Sequence, residues 1–297
     1  MQTLNTFYTL ITGASEGIGK ALAEVCAKDH RNLILVALPN VSLENTVTEL
    51  KQQFPQIKVE PIGLDLTNQD AAQQVYQTCQ ENNWQINTLI HNAGFGSAGE
   101  FEKYSMSFYE KMIQLHCTFT VALTYYFLPD LKKLQQGAQI VHVSSAAAFT
   151  DTPYKLVYST TKKFILHFAR VLQEELRKTK IKVSIVCPPG VATSAAVLER
   201  TEDAGWIAQR LILTPQQTAQ SILKGIHRKQ LLILPGFVGK LFYVLSLITT
   251  RGFQRRVLGS IFRGKKKREE ERQLRLKEKE RKAQAKLMAK NNEIHHS

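Results

Sequence analysis

Cysteine is scarce. The four cysteines, Cys26, Cys79, Cys117 and Cys187, stand far apart in a chain of 297 residues, with no Cys-x-x-Cys pair and no histidine cluster beside them. That pattern excludes a disulfide framework and a zinc site, so no metal is expected and reduced thiols of a cytoplasmic protein are the default. A secretory leader is not expected, because Phe7–Ile11 already reads as a strand and glycines follow at once. A long uninterrupted apolar run is missing too. Leu231–Thr250 comes nearest, but Pro235, Gly236, Gly239 and Lys240 interrupt it, and a bilayer span needs about 20 continuous apolar residues. No internal repeat is visible, and Leu274, Leu276, Leu287 and Met288 form no sustained heptad seam, which argues against a coiled coil.

Hydrophobic residues make up 43% of the chain and charged residues 22%, enough for a sizeable core and incompatible with global disorder. Lys and Arg number 39 against 25 Asp and Glu, a formal charge of +14. Residues 263–297 hold 13 basic and 6 acidic residues, net +7, so half the charge sits in the tail. Short apolar runs alternate with amphipathic stretches up to about residue 235. The expected strands are Tyr8–Thr12, Asn32–Ala37, Lys58–Gly63, Thr88–His91, Gln139–Ser144, Lys182–Cys187 and Leu231–Leu234. The expected helices are Ile18–Asp29, Leu43–Gln53, Gln69–Asn82, Ser107–Leu134, Leu156–Thr179 and Pro215–Arg228. This alternation predicts an α/β fold, a Rossmann-like doubly wound parallel sheet of about seven strands in one domain. Residues 1–235 form that body, 236–262 an apolar segment acting as substrate lid or interfacial element, and 263–297 a basic, helical extension.

Three groups of residues carry chemistry. Thr12-Gly-Ala-Ser-Glu-Gly-Ile-Gly19 directly follows the first strand and opens the first helix. Gly13 permits a tight turn, Gly17 lets backbone approach a pyrophosphate, and Gly19 allows close packing of helix on strand, with the helix N-terminus facing the phosphates. Tyr158 and Lys162 are four apart on a helix, hence on one face, where a cation draws a phenol toward the ionisation that acid–base work on a carbonyl requires. Ser144 and Ser145 end the preceding strand, at the sheet edge where open α/β folds bind ligands.

With these elements in order, the chain resembles the short-chain dehydrogenase/reductase family over about residues 4–235, and within it the bacterial short-subunit, ketoacyl-reductase-like branch. The resemblance rests on Thr12–Gly19, Asp65-Leu66, Asn92-Ala93-Gly94, Ser145, Tyr158, Lys162 and Pro188 to Thr193, with Met112-Ile-Gln-Leu, Phe127-Leu-Pro-Asp130 and Leu234-Pro-Gly236 giving the branch its character. It implies an NAD(P)-dependent oxidoreductase of a hydrophobic alcohol/carbonyl pair. Tyr158 would be the acid/base, Ser145 would orient the carbonyl, and Lys162 would bind the nicotinamide ribose and lower the Tyr158 pKa. The cofactor would lie against Gly13, Ser15, Glu16, Gly17, Ile18, Gly19, Asp65, Leu66, Asn92, Ala93, Gly94, Pro188, Val191 and Thr193, besides Tyr158 and Lys162. Asp65 would meet the adenine amino group and Thr193 the carboxamide. Homo-dimers or homo-tetramers through the helices carrying His116 and Tyr158 are implied as well.

Three positions depart from the family pattern. His116 stands in the long helix where the family has an asparagine supporting a proton relay; it either takes over that role or is a tolerated variant. Pro188-Pro189 replaces a Pro-Gly pair. After the second strand, Ala37-Leu38-Pro39 carries neither the carboxylate that selects NAD nor the arginine that takes the phosphate of NADP; the missing carboxylate tips the choice toward NADP. Trp206, Ile207, Leu211, Ile212 and Leu213 make the expected lid, Ala192–Thr214, apolar, which suits a hydrophobic or acyl substrate or packing on the core. The competing class is a noncatalytic dinucleotide-binding sensor or scaffold acting through the tail. Nucleic acid is not expected, since no basic stripe extends onto the body. An anionic membrane surface is one expected partner, because the apolar Phe237–Ile248 run precedes Lys265, Lys266, Lys267 and Arg268. The alternatives are packing of that run on the body or a partner subunit and a solvated, charged tail.

Overall fold

Asn32–Ala37 is apolar after its first residue, and all six positions are buried, as they must be when helices cover both faces of a sheet. The structure, a computed structural model, describes residues 6–191 and 212–264. In chain order the elements are β1 (Phe7–Thr12), α1 (Gly17–Lys28), β2 (Asn32–Ala37), α2 (Val41–Gln53), β3 (Val59–Gly63), α3 (Ala71–Glu81) and β4 (Gln85–His91). Then follow α4 (Met106–Ile113), α5 (Phe119–Lys133), β5 (Ala138–Val143), α6 (Leu156–Glu175), β6 (Ile181–Val186), α7 (Pro215–His227), β7 (Leu232–Ile233) and α8 (Gly236–Ile248). Residues 251–264 are helical again.

The seven strands form one parallel sheet in the order β3-β2-β1-β4-β5-β6-β7. The sense of the strand order reverses between β1 and β4, and the crevice above that switch point is where such sheets bind ligands. Side chains alternate across the sheet with period two. Leu10, Ile34, Leu89 and Ile140 join Leu123, Phe127 and Leu166 on one face. Ile11, Leu35, Ile90 and Val141 join Leu22 of α1 and Ile222 of α7 on the other. This is the doubly wound sheet that the sequence predicts.

One expectation fails in an instructive way. Ser107–Leu134 is not one helix: a π-helical turn, Gln114–Thr118, separates α4 from α5. A π turn fits one extra residue into the ladder and shifts the register of everything after it. It turns His116 fully into the interior, beneath the switch point. Smaller differences lie at the ends, where α6 stops at Glu175 rather than Thr179 and β7 is only two residues.

The segment expected as lid or interfacial element is two helices packed on the body. Tyr243 of α8 meets Phe149 at 4.8 Å between ring centroids. Arg251 Nη1 donates to the Phe149 carbonyl at 2.6 Å, and Arg255 pairs with Asp151 at 3.2 Å. Buried Gln254 ties the helices together, its Nε2 donating to the carbonyls of Ser246 and Thr249, each at 3.0 Å. Among the described residues no helix is long and apolar enough to cross a membrane. Thr193, Trp206, Ile207, Leu211 and the tail from Lys265 onward lie outside the described residues.

Candidate active site

The glycine turn is built to admit a ligand at backbone distance. Gly13 has φ +65°, a left-handed conformation that side chains disfavour. A Cβ at Gly19 would collide with the Gly13 carbonyl oxygen and lie 2.6 Å from Asn92 Nδ2. The Glu16 side chain at the N-cap of α1 makes no capping hydrogen bond, and the first turn holds no acidic residue. The first N–H groups of α1 are left for an anion, and their dipole favours one. Ile18 packs in the sheet–helix core, and the Ser15 carbonyl accepts from Thr46 Oγ1 at 3.2 Å, which braces the loop on α2.

Asn92 joins the ends of β1 and β4. Its Nδ2 donates to the Thr12 carbonyl at 3.0 Å and the Gly13 carbonyl at 3.1 Å, while the backbone N–H groups of Asn92 and Ala93 both donate to Thr12 Oγ1 at 3.0 Å. Asp65 follows β3. Its Oδ1 accepts from Thr67 N at 2.9 Å and Thr67 Oγ1 at 2.8 Å, bonds that hold the carboxyl below its ordinary range and keep it an acceptor. Leu66 beside it is a core residue. Leu38, at the end of β2, is exposed. These residues fit a dinucleotide: a backbone cradle and uncapped helix end for phosphates, and an ionised acceptor farther along the strand ends.

The second half of the site stands at the ends of β5 and β6. Ser145 Oγ accepts from Ala147 N at 3.2 Å, and the same hydroxyl favours the ionised form of the Tyr158 phenol. The neighbouring Ala146 N–H donates to the Pro188 carbonyl at 2.9 Å, fixing the β5 loop to the β6 loop, and Val191 bridges to Leu213 where the expected lid begins and ends. Lys162 is buried beneath, its Nζ donating to the Val143 carbonyl at 3.1 Å and lying 5.9 Å from the Tyr158 ring centroid. Ser144 Oγ donates to the Lys162 carbonyl at 2.7 Å. Burial pulls the Lys162 ammonium down to about 8.

Here the expected pKa effect is reversed. Burial raises the Tyr158 phenol above its ordinary value, with the Ser145 hydroxyl opposing. Lys162 is spent on the Val143 carbonyl rather than on the phenol, so desolvation dominates. The phenol is therefore a protonated donor at neutral pH, the form needed for reduction.

His116 lies under this pair. The Phe95 N–H donates to its Nε2 at 3.2 Å, so Nδ1 carries the proton and faces Thr161 Oγ1 at 2.9 Å. Thr161 Oγ1 in turn donates to the Tyr158 carbonyl at 2.9 Å. Burial holds His116 well below the ordinary histidine value, with the Lys162 charge adding to the effect, so the ring is neutral. A methyl group at Gly94 would stand 2.7 Å from His116 Nε2 and 3.4 Å from Lys162 Nζ, so Gly94 leaves the space in which the two groups come together.

The structure thus gathers Gly13, Asn92, Gly94, His116, Ser145, Tyr158 and Lys162 above the sheet. Sequence reasoning missed Thr161, the Val143 carbonyl and Lys155, whose Nζ lies 5.5 Å from the Tyr158 ring. Thr161 is three residues after Tyr158 on the same helix face and was open to discovery. The Val143 carbonyl and the Phe95 N–H are backbone groups and leave no trace in composition.

Comparison with known proteins gives the family and the fold. A family profile described as short chain dehydrogenase matches residues 8–204. The chain is 28% identical to the ketoacyl reductase HetN of Nostoc sp. over 77% of this chain and 78% of that protein. It is 27% identical to a very-long-chain 3-oxoacyl-CoA reductase of Bos taurus over 65% of this chain, spanning 62% of the bovine protein. Among solved structures, the bulky-bulky ketone specific alcohol dehydrogenase from Comamonas testosteroni superposes with a TM-score of 0.69 at 26% identity, covering 82% of this chain and 92% of that one. A short-chain dehydrogenase from Sphingobium yanoikuyae in complex with NADPH gives 0.68 at 28% identity, covering 78% and 88%.

Proposed function

The chain belongs to the short-chain dehydrogenase/reductase family, and on that premise we propose that it interconverts a hydrophobic alcohol and its carbonyl, with Tyr158 as the acid/base. Family membership makes it an NAD(P)-dependent oxidoreductase. When bound, the nicotinamide dinucleotide supplies or accepts the hydride. The observation carrying the proposal is the convergence on Tyr158 of Ser145, whose hydroxyl acts on the phenol, and of buried Lys162, whose Nζ lies 5.9 Å from the Tyr158 ring centroid. Tyr158 donates its proton to the nascent alkoxide, and Ser145 holds the carbonyl oxygen within reach of the same phenol. Lys162 keeps a positive charge under the site below about pH 8 and would hold the ribose hydroxyls. The glycine turn and α1 would bind the pyrophosphate, and Asp65 the adenine amino group.

NADP is preferred over NAD, because Ala37 puts no carboxylate against a ribose phosphate and the Sphingobium relative is an NADPH complex. A hydrophobic substrate suits the apolar residues of the expected lid, of which Ile212 lies near Gly190 in the loop after β6. The very-long-chain and bulky-ketone substrates in the names of two relatives point the same way. Exposed Val121 and Tyr125 of α5 and Phe164 and Val171 of α6 support a homo-oligomer through those helices. The noncatalytic alternative, which the departure at His116 would favour, is not preferred, since a neutral, hydrogen-bonded His116 is compatible with a working Ser145, Tyr158 and Lys162 set. Titration with NADPH and NADH, read by nicotinamide fluorescence and followed by a panel of hydrophobic carbonyls, tests the proposal. Absence of binding at millimolar nucleotide would refute it.

A further inference from the structure

The two C-terminal helices have unlike sides. Inward, Tyr243, Arg251 and Arg255 lock onto residues 149–151, and the Phe262 ring lies 6.1 Å from Tyr154, so the pair is clamped to the loop leading into α6. Outward, α8 exposes Phe237, Leu241 and Ile248, spaced four and seven apart along one helical face. The segment 251–264 exposes Phe253, Val257 and Ile261, each four apart. Phe237 is 77% and Ile248 73% exposed, against a core whose large apolar side chains are wholly covered. Single exposed apolar residues are ordinary; a file of them on consecutive helices marks a surface that something covers.

Charge says what covers it. From Ala204 to Arg268 the sequence contains no acidic residue. Lys240, Arg256 and Arg263 are exposed on these helices, and residues 265–297 add 12 basic against 6 acidic residues where the described chain ends. A second copy laid face to face would bring like charges together, and α5 and α6 already offer a separate apolar face for self-association. An anionic bilayer complements both features, with apolar side chains at the acyl boundary and basic groups at the headgroups. Neither helix can span: α8 has 13 residues, about 20 Å at 1.5 Å per residue, against a hydrocarbon core of about 30 Å.

We infer that the outer face of α8 and residues 251–264 is a seat for an anionic lipid surface. Through residues 149–154 the seat lies one loop away from the helix that carries Tyr158, so a bilayer-dissolved substrate would meet the protein beside its site. The surface does not depend on the redox reading and is tested apart from it.

The test is vesicle co-flotation of the full chain, using phosphatidylcholine vesicles with and without phosphatidylglycerol, at low and high salt. The full chain should float with anionic vesicles at low salt, far less with neutral ones, and less as salt rises. Phe237→Gln with Ile248→Gln should lower the vesicle-bound fraction about tenfold at low salt, since both side chains are solvent-exposed and their removal leaves the fold intact. Circular dichroism and thermal melting of that double variant serve as the folding control. No flotation with anionic vesicles overturns the inference. So does flotation that the double variant leaves unchanged, which would assign binding to the tail alone. Light scattering supplies the last outcome: a drop in oligomer size in the double variant would make the face a protein–protein contact and overturn it as well.

Discussion

His116 Nδ1 and Thr161 Oγ1 stand 2.9 Å apart, both buried, and join the π turn between α4 and α5 to the helix of Tyr158. The Phe95 N–H donates to Nε2 and fixes the tautomer, and Nδ1 donates to Thr161 Oγ1, whose own hydroxyl donates to the Tyr158 carbonyl, so both ring nitrogens are engaged. A ring held in this way would position Tyr158 and Lys162 rather than pass protons. His116→Ala should cut turnover about tenfold, with KM little changed, and His116→Asn should recover part of the loss. Because the wild-type ring is already neutral, the pH–rate profile should show no inflection near pH 6.5. An inflection there that vanishes in His116→Ala would assign the ring a titrating role.

Lys162 gives the profile its upper limit. Its folded pKa is lowered to about 8, so its charge is complete well below that pH and is lost as pH rises through it. The kcat/KM for carbonyl reduction should fall as pH passes about 8, while Tyr158, raised above its ordinary value, stays protonated across the same range. A flat profile to pH 10 would mean that the ammonium does not assist.

The stacked pair His91 and His142, with ring centroids 4.5 Å apart, predicts acid lability. Among the described residues, His91 Nδ1 and both His142 nitrogens lack a hydrogen-bond partner. Burial lowers both groups, His142 to about 3. The unfolded chain takes up these protons below about pH 6.5 and the native state does not, so the stability they allow is full above 6.5. It is lost on acidification toward about 3, at about 1.4 kcal/mol per pH unit per group. Chemical denaturation at several pH values should show this slope, and His142→Leu should reduce it by one group. An unchanged slope would contradict the assignment.

Gly19→Ala tests the cradle. The added methyl meets the Gly13 carbonyl, so α1 must move from the turn. NADPH affinity should fall at least about tenfold while circular dichroism stays native. Unchanged affinity would place the dinucleotide elsewhere.

Much of this was legible in the chain. Continuous apolar runs such as Asn32–Ala37 read as strands buried on both faces, and the order of glycine turn, Ser145, Tyr158 and Lys162 pointed to the candidate site. What escaped depends on groups that periodicity does not see. The π turn at Gln114–Thr118 sits inside a pattern that reads as one helix, and its partner is the Phe95 backbone N–H. The Tyr158 pKa was misjudged because sequence spacing gives the distance to Lys162 but not the depth of burial. The apolar Phe237–Ile248 run announced a surface or a packed element; the structure makes it both, one side for the body and one for solvent.

The central claim is that Tyr158 delivers the proton. Tyr158→Phe keeps the ring and removes only the hydroxyl, so it deletes a transition-state interaction and spares ground-state binding. Single-turnover reduction of a hydrophobic ketone with NADPH, paired with fluorescence titration of the nucleotide, measures the two separately. The account predicts that turnover disappears while NADPH affinity stays within a few-fold. Retention of most of the activity would contradict it.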